Sequence, residues 1–227
     1  MRKLSPVLVL ALPILIGIGC TRPKPLPQAA IQVRVTSEPA NAALFMNGRP
    51  IGEAPSALEV ASAEELLKMT ATLKDEAIVE KRIRFLSQQQ AEVIFVFGAG
   101  RSTMAKALGF PKILVFDYGA GVTFAVNQAS LKPEFLPLLE RQADILKAHF
   151  QNLDLYVCGH TDVTGAPDFN LSLSLDRARS VSADLAGRGV PPGRMKIQGF
   201  GSQYPVTGND TEQGRAMNRR TELILPQ

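Results

Sequence analysis

The sequence is poor in the side chains that do chemistry in enzymes and staple small scaffolds. It holds two histidines and two cysteines in 227 residues. Two cysteines exclude a disulfide framework and a cysteine-based metal cluster. No His, Cys and Asp spacing matches a metal site, and no Ser, His and Asp pattern matches a nucleophilic triad. Asp162 lacks an obvious second carboxylate for glycoside cleavage. Charge of one sign is also scarce. The net charge of +4 falls to +2 once Arg2 and Lys3 are set aside, too weak and dispersed for a nucleic-acid partner. After residue 20 no apolar run approaches the ~20 residues of a membrane span. These absences point away from an enzyme, a metal and a cofactor. Charged residues at 20% and hydrophobic residues at 45% describe an ordinary folded chain.

Residues 1–19 read as a signal peptide: a basic start, an apolar run from Val7 to Ile18 and small residues at the end. Gly17, Ile18, Gly19 and Cys20 resemble the lipobox of bacterial lipoproteins, although leucine is usual where Gly17 stands. The resemblance implies that Cys20 is lipidated. With Thr21 after it, it also implies a protein lipid-anchored in the outer membrane and facing the periplasm. Ordinary cleavage after the small pair Gly17 and Gly19 is the competing reading. Residues 20–30, with three prolines in a short run, read as a semi-rigid tether of about 30 Å. Cys158, the other cysteine, reads as a small buried hydrophobe on a strand.

Residues 31–97 read as a small all-β unit. Ile31, Val33 and Val35 alternate as in a half-buried strand, and Asn47-Gly48 between apolar flanks signals a hairpin. Ser37, Pro39, Ala42, Asn47-Gly48, Ile51-Gly52 and Pro55 resemble a PEGA domain, a β-sandwich-like module of envelope proteins. A Gly-x-Tyr hairpin expected near residue 65 is replaced by SAEELLKMTA. Residues 98–112 read as a linker or a short helix. Residues 113–227 alternate strand and helix, which predicts an α/β domain with a mixed sheet and packed helices. Its strands are expected at 122–126, at 154–159, in MKIQGFG and in RRTELIL. Its helices are expected at 132–150, at 172–189 and in TEQGRAMN.

The loop before the 172–189 helix carries one acid, Asp162, and the helix carries one guanidinium, Arg177. Asn170, Leu173 and Arg177 stand at i, i+3 and i+7 and share a stripe. Asn170 is placed near the N-cap. A helix start plus a planar guanidinium suits a carboxylate, and Asp162 suits a cation. An amino-acid headgroup carries both charges. A simple Asp162–Arg177 salt bridge pinning loop to helix would use the same two residues.

GHTDVTG, NLSLSLDRA, GFGSQYP and NDTEQGRAMNRR, in that order, resemble the peptidoglycan-binding domain of OmpA-like proteins. The resemblance implies a non-catalytic protein that binds the diaminopimelate side chain of peptidoglycan stem peptides. Asp162 would take its amine and Arg177 its carboxylate, with Asn127, Asn170, Leu173 and Arg219 lining the same cleft. Ala125 and Val126 replace polar neighbours usual in that segment. His160 is expected to brace the loop, and Arg220 to pair with an acid. Two further readings stay open. The protein could be a subunit of a secretion, motility or division machine, binding an envelope protein through residues 31–97. A wall-active enzyme finds less in the sequence.

Overall fold

The computed structural model describes residues 30–118, 123–124 and 127–227. The expected signal peptide, Cys20, the expected tether up to residue 29, and Val122, Ala125 and Val126 of the expected 122–126 strand lie outside the described residues.

Strands β1 (Ile31–Glu38), β2 (Ala43–Met46), β3 (Arg49–Glu53) and β4 (Ser56–Val60) come first, followed by the short helix α1 (Ala63–Lys68). Then come β5 (Met69–Thr72), β6 (Ile78–Phe85) and β7 (Gln90–Phe97). The alternation in β1 is real: Ile31, Val33, Val35 and Ser37 are buried and their neighbours face outward. Asn47 and Gly48 join β2 to β3 with φ of 51° and 75°, the left-handed pair a two-residue hairpin needs. SAEELLKMTA, where the sequence departs from the PEGA pattern, makes α1 and enters β5. Residues 31–97 are therefore mostly, not wholly, strand.

Helix α2 (Thr103–Leu108) occupies the expected linker. The Ser102 hydroxyl accepts from the Ala105 N–H at its start, and Gly109 ends it in the left-handed conformation. The chain continues as β8 (Ile113–Tyr118), α3 (Leu136–His149), β9 (Leu155–Gly159) and α4 (Pro167–Gly187). It closes with β10 (Met195–Gly199), α5 (Glu212–Asn218) and β11 (Thr221–Pro226). Strand β8 was not expected. It lies just before the predicted 122–126 strand, of which the described part, Thr123 and Phe124, makes one isolated bridge, Phe124 to Leu131. Helix α4 begins five residues earlier than expected, with Pro167 in its first turn.

One eight-stranded mixed sheet runs through both halves in the order β10-β9-β11-β8-β6-β7-β1-β4, and a second sheet has the order β3-β2-β5. The sequence predicts two units separated by a linker. The structure joins them, because β6 pairs in parallel with β8 over six residue pairs. On one face of this junction the core is continuous. Phe85 stacks on Tyr118 at 6.1 Å, and Tyr118 meets the edge of Phe135 at 4.7 Å. On the other face the junction is ionic and buried. Arg82 donates from Nε to Glu80 (2.7 Å) and from Nη1 to Asp117 (3.1 Å) and Glu222 (2.5 Å). Arg84 Nε donates to Asp117 (2.8 Å), and Arg220 Nε to Glu222 (2.8 Å). Burial alone pushes the Asp117 and Glu222 carboxyls up. Arg84 and Arg82 outweigh it at Asp117, and Arg220 and Arg82 at Glu222, so both stay ionised.

Glycine sets how α4 lies on the sheet. A Cβ on Gly159 of β9 would collide with the Ser174 carbonyl, and one on Gly199 of β10 would come within 2.6 Å of the Leu175 nitrogen. These two bare backbones let the helix settle onto β9 and β10 and fix where its N-terminal turns emerge. No helix among the described residues is long and apolar enough to cross a membrane.

Candidate functional site

The loop between β9 and α4 carries Asp162, and its backbone makes the acid's conformation. Asp162 Oδ1 accepts the Thr164 N–H at 2.7 Å, a local turn typical of aspartate. Asn170 then braces the loop: its side-chain amide donates to the carbonyls of Thr164 (3.0 Å) and Asp162 (3.4 Å). This corrects the expected N-cap role. The N-cap is Ala166, so Asn170 stands inside the first turn and donates to the loop instead of accepting from helix N–H groups.

The expected stripe holds. Asn170, Leu173 and Arg177 all line one cavity of about 190 Å³, together with Asp162, Asn127 and Arg219. All six residues singled out in the sequence therefore meet at one place. Thr161, Thr164 and Glu212 complete the lining and were not singled out. They stood inside the quoted blocks, but nothing in their spacing distinguished them from ordinary loop residues.

The pairing within the cleft differs from the sequence expectation. Asp162 pairs with Arg219, not Arg177: Arg219 Nη1 donates to Asp162 Oδ2 at 2.7 Å. The reason is topological. Arg219 stands just before β11, the strand next to β9, and so faces the loop that leaves β9. Arg177 lies 1% exposed on the second turn of α4 beyond Asn170. Its Nε donates to the Gln128 carbonyl (3.0 Å), its Nη1 approaches the His160 carbonyl (3.4 Å), and its plane lies over the Phe124 ring at 5.1 Å. Arg219 also reaches outward, donating from Nη2 to Glu212 at 2.7 Å on the rim.

Two guanidiniums thus face one buried carboxylate. Burial pushes the Arg177 guanidinium down, the positive charge of Arg219 pushes it further, to about 10, and Asp162 only partly offsets this. Burial pushes the Asp162 carboxyl up, but hydrogen bonds from Arg219 and Thr164 outweigh it and hold the carboxyl below its usual range. Every group keeps its charge at neutral pH. A general acid or base needs a pKa near the working pH, and none of these groups has one. The cleft is suited to binding an anion between Arg177 and Arg219, with Asp162 beside it for a cation.

The neighbouring expectations fall elsewhere. Arg220 lines a cavity on the opposite face of the sheet and pairs with Glu222. His160 is fully buried, stacks on Phe200 at 5.5 Å and lies 3.4 Å from Glu222. Its backbone N–H donates to the Arg220 carbonyl at 2.9 Å. Burial and the charge of Arg220 push its imidazole down to about 4, against the pull of Glu222. Cys158 is fully buried, and burial pushes its thiol well above the usual range, which leaves it without nucleophilic character.

Residues 123–219 match the model of the OmpA family. The probable lipoprotein YiaD of Escherichia coli K12 is 38% identical over 112 residues, which are 49% of this chain and 51% of YiaD. The peptidoglycan-binding protein ArfA of Mycobacterium tuberculosis H37Rv is 38% identical over 107 residues, 47% of this chain and 32% of ArfA. The crystal structure of the peptidoglycan-associated lipoprotein of Burkholderia pseudomallei is 32% identical, with a TM-score of 0.43, over 46% of this chain and 87% of that one. The C-terminal half of the chain is an OmpA-like domain. The chain spans about half of YiaD and about a third of ArfA, and residues 31–97 lie outside the family match.

Proposed function

We propose that this protein is a non-catalytic cell-envelope lipoprotein. It anchors the outer membrane, or a complex attached to it, to peptidoglycan by binding the diaminopimelate of stem peptides. The observation that carries the reading is the cleft itself. Arg177 and Arg219 line it beside Asp162, and a ligand carboxylate between the two guanidiniums offsets the charge with which Arg219 disfavours Arg177. Asp162 keeps lone pairs for an ammonium on the same ligand. The names of ArfA and of the Burkholderia lipoprotein, which refer to peptidoglycan, support this choice of polymer. Lipidation of Cys20 supplies the membrane end of the anchor in this reading, and repeated weak attachment along one polymer adds avidity.

The test is equilibrium binding of the full chain, in mild detergent, to soluble diaminopimelate-type stem peptides. Arg177→Ala should weaken binding about a hundredfold or more, as removal of one partner from a buried charged contact does. Asp162→Asn should weaken it about tenfold. Cross-linking turns the diaminopimelate amine into an uncharged amide, so uncross-linked peptides should bind tighter than cross-linked ones. Unchanged binding in both folded variants would overturn the reading, and equal affinity for both peptide forms would overturn the assignment of the amine to Asp162.

A second reading gives residues 31–97 a protein partner in an envelope machine, with the PEGA resemblance behind it. It is favoured by β3, whose five residues are all exposed at the edge of the small sheet. Pull-down with the full chain, against a chain in which β3 carries an added proline at Ile51, separates the two roles.

A further inference from the structure

On the sheet face opposite α3 and α4, a second cavity of about 340 Å³ opens at the junction of the two halves. Its charged lining is Arg82, Arg84, Arg101, Arg220, Glu38 and Glu80. Neither half makes it alone. Residues 31–97 supply Arg82, Arg84 and the acids, the α2 segment supplies Arg101, and the segment before β11 supplies Arg220.

The lining holds more unused donors than acceptors. Both oxygens of Glu80 are occupied, one by Arg82 and one by the Ser102 hydroxyl. Arg220 is 1% exposed, and its Nη1 has no hydrogen-bond partner among the described residues, although Nε and Nη2 both donate. Arg82 and Arg84 are each 6% exposed and donate through Nε and Nη1, which leaves each Nη2 without a partner among the described residues. Arg101 is exposed at the mouth with no ion pair there. Asp117 and Glu222 lie outside the lining and neutralise the buried guanidiniums. Of these donors Arg220 Nη1 is shut off from solvent, and a buried guanidinium N–H with no acceptor is costly, so the geometry favours an occupant that brings an acceptor to it. Ile94, Val96 and Met104 add an apolar wall.

We propose that this junction cavity is a binding site for a compact multivalent oxyanion, a phosphate or a di- or tricarboxylate, held by Arg82, Arg84 and Arg220 and closed over by Arg101. The site is independent of the cleft. Arg219 and Arg220 are adjacent in the chain but point to opposite faces, so each serves one site. Because both halves build it, the ligand binds only the joined fold and stabilises the junction by mass action.

The experiment is thermal unfolding of the full chain with inorganic phosphate or citrate, at constant ionic strength set with sodium chloride. Calorimetric titration of the same anions accompanies it. The expected result is a saturable rise in Tm with a dissociation constant of roughly millimolar order for at least one of the two probes. Arg101→Ala, a change at an exposed residue, should weaken that affinity about fivefold or more. Arg219→Ala should leave it unchanged. The proposal is overturned if neither probe acts beyond the chloride control, or if Arg101→Ala is without effect. It is also overturned if Arg219→Ala abolishes binding, since the anion would then sit in the cleft. Which probe binds decides between phosphate and carboxylate.

Discussion

Arg82 and Arg177 are both buried guanidiniums, and they sit in opposite electrostatic company. At the junction Arg82 is surrounded by Glu80, Asp117 and Glu222. In the cleft Arg177 contacts carbonyls and a ring, and the charge of Arg219 weighs on it more than that of Asp162. The consequences run in opposite directions: neighbouring acids raise Arg82 well above its ordinary pKa, and burial with Arg219 lowers Arg177 to about 10. Matched buried charge joins two segments of chain. In the cleft the buried guanidinium shares a cavity with Arg219 and Asp162. Residue type does not distinguish the two uses; the neighbours do.

The comparison breaks most visibly at the junction. Asp117→Ala would leave Arg82 and Arg84 short of a shared buried carboxylate, and a loss of about 3–5 kcal/mol in unfolding free energy is expected by denaturant titration. The exposed pair Asp176 and Arg179 is the control, and Asp176→Ala should change stability by less than about 0.5 kcal/mol. Next in size is pH. His160 is held neutral with its pKa near 4, whereas an unfolded histidine titrates near 6.5. Below the unfolded value the unfolded chain gains a proton that the folded chain refuses, so stability falls as pH drops toward 4. About 2 kcal/mol should be lost between about pH 7.5 and pH 5, and His160→Gln should flatten that slope. Equal slopes in the two proteins would show that His160 is not the origin of the acid sensitivity in this range. The smallest effect sharpens the cleft side. Glu212 on the rim competes for Arg219, and Glu212→Gln should tighten stem-peptide binding about twofold at low salt, with the gain disappearing as salt screens the rim.

The OmpA-like half was largely legible. Its helices and its last three strands occur close to where periodicity put them, because each buries a regular apolar stripe. The cleft residues were legible as a set because the motif blocks are local and ordered. Their pairing was not. Asp162 and Arg219 are 57 residues apart, and only the β9–β11 neighbourhood brings them together. The junction escaped for a related reason. In IVEKRIRF, the strand β6, Glu80, Lys81 and Arg82 stand in a row and break the alternation that marks a half-buried strand. Here the charged face meets the acids of β8 and β11.

By itself, the sequence determined what depends on near neighbours. The Asn47-Gly48 hairpin follows from residues that tolerate positive φ. The amphipathic helices follow from spacing. The tertiary structure decided what depends on partners far along the chain. It joined β6 to β8 and turned Arg219 into the cleft and Arg220 away from it. It also left Arg177 facing a like charge. Electrostatics in a protein interior is set by the few ångströms around each group, and only the folded chain determines which groups come that near.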